Sequence, residues 1–233
     1  MSFRPLLLVG FLALIAAAGL PHAAASTLPF DTVFKGRSQF DKLVAQADKW
    51  KGLPIGDRVA AVGRAMAGTP YRSYTLEIDD HVESPSVNLT GLDCWTFFET
   101  SLAFARMLDE PRESWTPQTM LKYIEADRYR GGKCDGTYLS RLHYLEDWLR
   151  DNNSRGLVRD MTRDLGGVPA AHDAVEMTRN WRGYRYMRHD PDNRAGIARR
   201  LDGVLIFGKL QNEGRRPVRE TLLDSDLGYA RPC

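Results

Sequence analysis

Hydrophobic and polar positions alternate with helical spacing over most of this chain. Phe40, Leu43, Val44, Ala47 and Trp50 recur at intervals of three and four, which predicts a helix over 38–51, ended by Pro54 and Gly56. Asp57 is placed to cap a second helix with Val59, Val62 and Met66 on one face and Gly68 at its end. Residues 74–78 read as extended and 79–86 as a polar loop. The strongest pattern comes next. Phe97, Ser101, Phe104 and Leu108 share a face that Phe98, Leu102 and Ala105 widen, and a helix apolar around most of its girth belongs in a core. Gly91 turns the chain into it, Asp93 stands as its N-cap and Cys94 falls in its first turn.

Thr116 is placed to cap a further helix containing Met120, Leu121 and Ile124. After a turn at Cys134-Asp135-Gly136, Ser140 could cap a helix over 142–152 with Leu142, Leu145, Trp148 and Leu149 on its apolar side. Residues 157–161 read as a strand before a Gly166-Gly167 turn, and 175–180 as strand or helix. Trp181, Tyr184, Tyr186 and Met187 form a helical patch, and 202–208 and 216–223 read as strands.

Residues 1–25 change the picture of the N-terminus. Arg4, an apolar stretch over 6–20 and the small residues Ala23, Ala24 and Ala25 have the pattern of a cleaved signal peptide, so the mature chain is expected to be exported, to the periplasm or cell surface. The remaining residues, 26–233, suit a single domain. The formal net charge of +2 falls to +1 when Arg4 is lost, which gives no reason to expect nucleic acid or an anionic membrane as partner. The three cysteines, Cys94, Cys134 and Cys233, make no disulfide framework, although Cys134 could pair with Cys233 in an oxidising compartment.

Two readings of Cys94 stand side by side. Free cysteine is most often a small buried hydrophobe. At a helix N-terminus, however, the partial positive charge favours the thiolate, the form that acts as a nucleophile, and its pKa is expected below the usual value of about 8.5. The neighbouring Asp93 opposes this unless its charge is turned into the cap. His143 and Asp147, four residues apart on the predicted helix, form either a salt bridge or a wall of a cleft. His143, His172 and Glu176 offer zinc ligands, but no His-Glu-x-x-His or compact Cys/His cluster accompanies them, so no metal site is assigned.

Several motifs occur in order: Gly68-Thr69-Pro70-Tyr71, then Val87-Asn88-Leu89 running to Leu92-Asp93-Cys94-Trp95-Thr96-Phe97, then Tyr138-Leu139-Ser140-Arg141-Leu142-His143-Tyr144 with Asp147-Trp148. Over about residues 40–197 the chain resembles the bacterial N-acetylmuramoyl-L-alanine amidase-like family (domain of unknown function 1460), a branch of the NlpC superfamily of papain-like cell-wall cysteine peptidases. The resemblance implies an α+β fold, with a papain-like core, a large helical share and a small, incomplete antiparallel sheet. It implies Cys94 as nucleophile in the hydrolysis of a peptidoglycan amide bond, with peptidoglycan or muropeptides as partner and no cofactor. Tyr71, Asp93, Arg141, Tyr144 and Asp147 fall in the matching motifs and are expected to contact substrate.

The likeness stops at about Ala198. Members of the family carry a histidine on a downstream strand, in a Leu-Asp-x-x-His setting, with a His-Ala-Ser motif beyond; here no histidine follows His189. Residues 198–233 are therefore an atypical tail, of the kind a truncated or frameshifted longer reading produces. His143 becomes the best remaining candidate for the base that a cysteine nucleophile requires. The competing expectation is a non-catalytic peptidoglycan-binding remnant that keeps the cleft and lacks the base.

Overall fold

The computed structural model describes residues 28–167 and 176–201. Its helices, in chain order, are α1 (Phe30–Val33), α2 (Arg37–Val44), α3 (Ile55–Ala65), α4 (Cys94–Met107), α5 (Pro117–Arg128), α6 (Leu145–Ser154), α7 (Glu176–Arg179), α8 (Arg185–His189) and α9 (Pro191–Leu201). Two short strands, β1 (Phe34–Lys35) and β2 (Val87–Asn88), pair in parallel, Phe34 with Val87 and Lys35 with Asn88. The architecture is helix-rich α+β. The expected antiparallel sheet is corrected to a parallel pair among the described residues, because β2 returns beside β1 after a long crossover rather than a hairpin. The strands expected at 202–208 and 216–223 lie outside the described residues.

The pairing depends on a glycine. Gly36 has φ +94°, and a Cβ there would stand 2.7 Å from Cβ of Leu89. Only a residue without a side chain fits both the left-handed backbone and the close approach.

Helix α4 is the central element, packed against α3 and α5. Its Phe104 and Met107, with Leu108 at its C-cap, join Phe40, Leu43, Trp50, Val62, Met120 and Ile124 in the main core. Each such side chain contributes roughly 1.5–3 kcal/mol on burial. Leu102 enters a second cluster with Leu142 and Trp148, against which Trp95 and Phe98 pack. Tyr138, Met177, Tyr186, Met187 and Ile197 form a third, which attaches α7, α8 and α9. Phe97 departs from the expected burial and is 38% exposed.

Several other expectations shift. The helix predicted over 38–51 divides into α2 and a 3-10 turn at Ala47–Lys49. Helix α3 begins after Pro54, which leaves Asp57 in its first turn and not at the cap. Proline suits this position, since the first helical N–H groups have no partner to lose. Residues 73–76 turn instead of extending, and Tyr74 adopts φ +58°. Residues 157–161 pair with no strand among the described residues. Thr116 does cap α5, its hydroxyl accepting from the Thr119 N–H at 3.2 Å.

A buried ion pair ties these layers together. Arg128 at the end of α5 reaches Glu99 of α4 at 2.9 Å and donates to the carbonyl and hydroxyl of Ser86 at 2.9 and 3.2 Å. Both side chains are almost wholly out of solvent, so neither charge tolerates the loss of its partner. Glu99→Ala is expected to lower unfolding stability by about 3–5 kcal/mol in urea titration; a loss below about 1 kcal/mol would mean that water already screens the pair.

Asp127 gives a pH-dependent counterpart. Burial pushes its carboxyl up to about 6, against the opposing pull of Arg106, with which it pairs. A carboxyl whose folded pKa lies above its unfolded value favours the folded state fully below about pH 4. That contribution is lost as pH rises through 6. Asp127→Asn is expected to flatten this fall when stabilities are compared across pH 4–7; an unchanged slope would count against it.

Candidate active site

Local chemistry fixes the start of α4. Asp93 is the N-cap, with Oδ1 accepting from the Thr96 N–H at 2.7 Å, while the Thr96 hydroxyl accepts from the Asp93 N–H at 3.0 Å. This capping box satisfies two backbone donors, and Thr75 adds a hydroxyl to Oδ2 of Asp93 at 3.3 Å. Asp93 is thus committed to the helix end, with its carboxylate turned onto the Thr96 N–H. Cys94 follows as the first helical residue and is exposed. The loop before it is held from the side: Tyr71 bridges Leu92, Arg72 N–H donates to the Leu92 carbonyl at 3.0 Å, and Leu92 N–H to the Pro70 carbonyl at 3.1 Å.

His143 is placed differently from expectation. Helix α6 starts at Leu145, so His143 and Asp147 do not stack on one helix face. The segment entering α6 is extended instead: Arg141 bridges Tyr129 in antiparallel fashion, Leu142 N–H donates to the Arg128 carbonyl at 2.9 Å, and Ser140 belongs to a 3-10 turn. Nε2 of His143 lies 2.9 Å from the Tyr138 carbonyl oxygen, and the imidazole packs against the Tyr138 ring at 4.4 Å. A carbonyl oxygen has no proton to give, so Nε2 carries the hydrogen and Nδ1 holds the lone pair in the neutral ring.

Cys94 and His143 line one cleft of about 700 Å³. Tyr71, Asp93, Arg141 and Tyr144 line it as well, and Tyr71 is 62% exposed. Asp147 does not. It pairs with Arg130 through both carboxylate oxygens, at 3.1 and 2.5 Å, which corrects its expected place against substrate. Tyr144 also donates structurally useful geometry, its hydroxyl oxygen accepting the Met177 N–H at 3.0 Å. His172 and Cys233, and with them the zinc set and the Cys134–Cys233 pairing, lie outside the described residues.

Arg141 lines the cleft from a buried position. Its guanidinium lies 4.8 Å from the Tyr138 ring and 5.9 Å from the Tyr186 ring, and reaches Glu77 and Glu83 at 3.6 Å each. Burial pushes the Glu83 carboxyl upward, with Arg141 and the Tyr129 hydroxyl holding it back. Sequence patterning missed Tyr74, Glu77 and Tyr184 as lining residues. The Tyr74 and Tyr184 rings meet edge-on at 6.0 Å across the cleft wall. Tyr74 stood in a segment whose pattern reads as extended, so its place on the cleft wall follows from the turn at 73–76.

Residues 61–199 match the family model of the N-acetylmuramoyl-L-alanine amidase-like proteins. The chain belongs to this family. Among solved structures it resembles an N-acetylmuramoyl-L-alanine amidase from Bacteroides uniformis, at 26% identity and TM-score 0.57, over 65% of this chain and 61% of that one. It also resembles a candidate xylanase from Bacteroides fragilis, at 31% identity and TM-score 0.55, over 62% and 61% of the two chains. A Legionella pneumophila protein of the DUF1460 family shares the fold at 18% identity and TM-score 0.52, over 73% and 60%. The chain thus spans about three-fifths of the length of these structures. No functionally curated protein matches it.

Thiol reactivity should separate the two inner cysteines. Burial pushes the Cys134 thiol up, whereas Cys94 is exposed at a helix N-terminus. Iodoacetamide at pH 7 followed by peptide mapping is expected to label Cys94 at least about tenfold faster than Cys134; equal rates would return Cys94 to a structural role.

Proposed function

We propose that this chain is an exported cysteine hydrolase that cleaves an amide bond of peptidoglycan muropeptides, within a papain-like branch of cell-wall peptidases. The observation that supports it most is the meeting of an exposed helix-start cysteine and a carbonyl-anchored histidine in one cleft of a chain from the amidase-like family.

The chemistry follows from those positions. Nδ1 of His143 takes the thiol proton, and the Cys94 sulfur attacks the amide carbonyl carbon. The carbonyl π electrons move to oxygen, which is stabilised by N–H groups at the start of α4. The capping box uses the N–H groups of Asp93 and Thr96, which leaves those of Cys94 and Trp95 outside it. Collapse breaks the C–N bond, His143 returns the proton to the leaving amine, and an acyl-enzyme remains. Water, deprotonated by His143, then releases the acid and the thiol. The Tyr138 carbonyl keeps the imidazole in the tautomer this sequence needs, the orienting part of a triad.

The candidate-xylanase relative raises glycoside hydrolysis, which requires two carboxyl groups facing each other across the sugar. Glu77 is taken up by Arg141, the Tyr138 hydroxyl and the Tyr186 N–H; Asp93 by the cap; Glu176 by Asn180. The amide reading therefore fits the cleft better. The alternative is a muropeptide-binding remnant without turnover, which the following assay separates from the hydrolase.

Purified protein incubated with muropeptides is expected to release peptide, by mass spectrometry of the products. Cys94→Ala should remove detectable turnover, and His143→Ala should lower kcat by about 10²–10⁴-fold. Turnover that survives Cys94→Ala rules out the cysteine mechanism, and turnover unaffected by His143→Ala rules out the base. Binding without turnover in the unaltered chain selects the remnant.

A further inference from the structure

The turn at 73–76 separates two cavities. Ser73, Tyr74 and Glu77 line the cleft and also a second cavity of about 250 Å³, where the cations Lys35, Arg72 and Arg185 gather. Surface cations are ordinarily just solvated, so the local charge balance decides whether these differ. Arg185 is occupied by Asp80 and by the Glu77 carbonyl. The Glu77 carboxylate faces Arg141, the Tyr138 hydroxyl and the Tyr186 N–H. Lys35 and Arg72 have no acidic partner among the described residues, and no other acid lines the cavity.

Arg72 is also held in place. Its backbone is hydrogen-bonded to Leu92 in the loop before Cys94, and its stem lies so close over Gly91 that a Cβ there would stand 2.3 Å from Arg72 Cδ. The missing side chain of Gly91 is what lets the stem lie flat. The stem of Arg72 is therefore anchored on the loop that leads to Cys94. Between the two cavities, Tyr74 has φ +58°, an unfavourable conformation for an aromatic residue and one that tends to persist where a site requires it.

We propose that the second cavity is a carboxylate subsite, in which Arg72 and Lys35 take a free carboxylate of the peptide stem while the scissile amide lies at Cys94. The proposal rests on the amidase reading and names what that reading leaves open, the recognition of the peptide. Muropeptide stems carry free carboxylates, the arginine fork matches one bidentately, and the lysine supplies a second charge. The shared wall of Ser73, Tyr74 and Glu77 sets the two cavities side by side, so that an extended peptide lying across it would meet both.

The test uses the full chain with Cys94→Ala, so that binding is read without turnover. Two synthetic muramoyl peptides, identical except that one carries a free side-chain or α-carboxylate and the other its carboxamide, are titrated by calorimetry. The carboxylate form is expected to bind about tenfold tighter, with the advantage shrinking as salt rises. Arg72→Gln with Lys35→Gln should reduce it to less than about twofold, and Lys35→Gln alone to an intermediate value. Equal binding of the two peptides by the parent, discrimination that persists in the double variant, or no binding of either peptide overturns the subsite. Hydrolysis of muropeptides by the unaltered chain is scored separately, so loss of the subsite leaves the amidase reading standing, and loss of turnover leaves the binding result interpretable.

Discussion

The buried guanidinium of Arg141 is the interaction on which the cleft depends. It lies beside the rings of Tyr138 and Tyr186 and faces Glu77 and Glu83 from the 71–89 segment, with its Nη1 also donating to the Leu76 carbonyl at 3.2 Å. One side chain thereby joins three stretches far apart in sequence. Such a group is costly to desolvate and is tolerated only when its partners are all present. The aromatic faces and two carboxylates provide that, and the result is a rigid wall. Arg141 lines the cleft and at the same time holds the residues beside it in place.

His143 inherits its position from the same knot. The bridge between Arg141 and Tyr129 keeps the chain extended for two residues more, which delivers the imidazole to the cleft before α6 begins. Tyr138 serves twice, with its ring against Arg141 and its carbonyl under Nε2 of His143. On the opposite wall, the Asp93–Thr96 box fixes the direction of α4 and consumes the acid nearest Cys94. The two candidate catalytic groups thus come from unrelated devices, a local helix cap and a nonlocal ion cluster.

The division of the molecule into packed body and reactive rim follows from this. Phe104, Met107 and Leu108 anchor the far part of α4 in the core, and its first turn projects into the cleft. A nucleophile on the end of a core-packed helix has little freedom to drift, which suits a reaction that needs sub-ångström placement.

The sequence by itself determined the features whose physics is local. Asp93 and Thr96 three residues apart, the Thr116-Pro117 start of α5 and the apolar girth of α4 each act through neighbours within a turn or two, so their meaning does not depend on the rest of the fold. The ordered motifs also sufficed to indicate the family. Tertiary structure decided the rest. The pattern Leu142, Leu145, Trp148, Leu149 is helical, yet its first residues are drawn straight by the Tyr129 bridge and the burial of Arg141, so His143 left the helix and Asp147 turned to Arg130. The segment after Tyr71, apparently extended in its side-chain pattern, turns at Tyr74 because its polar ends are claimed by Leu92 on one side and Arg141 on the other. The parallel pairing of Phe34 with Val87, and the approach of Arg72 to Gly91, join residues with no local reason to meet. Around His143 and Tyr74 a buried charge or a backbone group outweighed local propensity, because leaving it unsatisfied costs more than the few tenths of a kcal/mol, roughly, by which one residue prefers helix to strand.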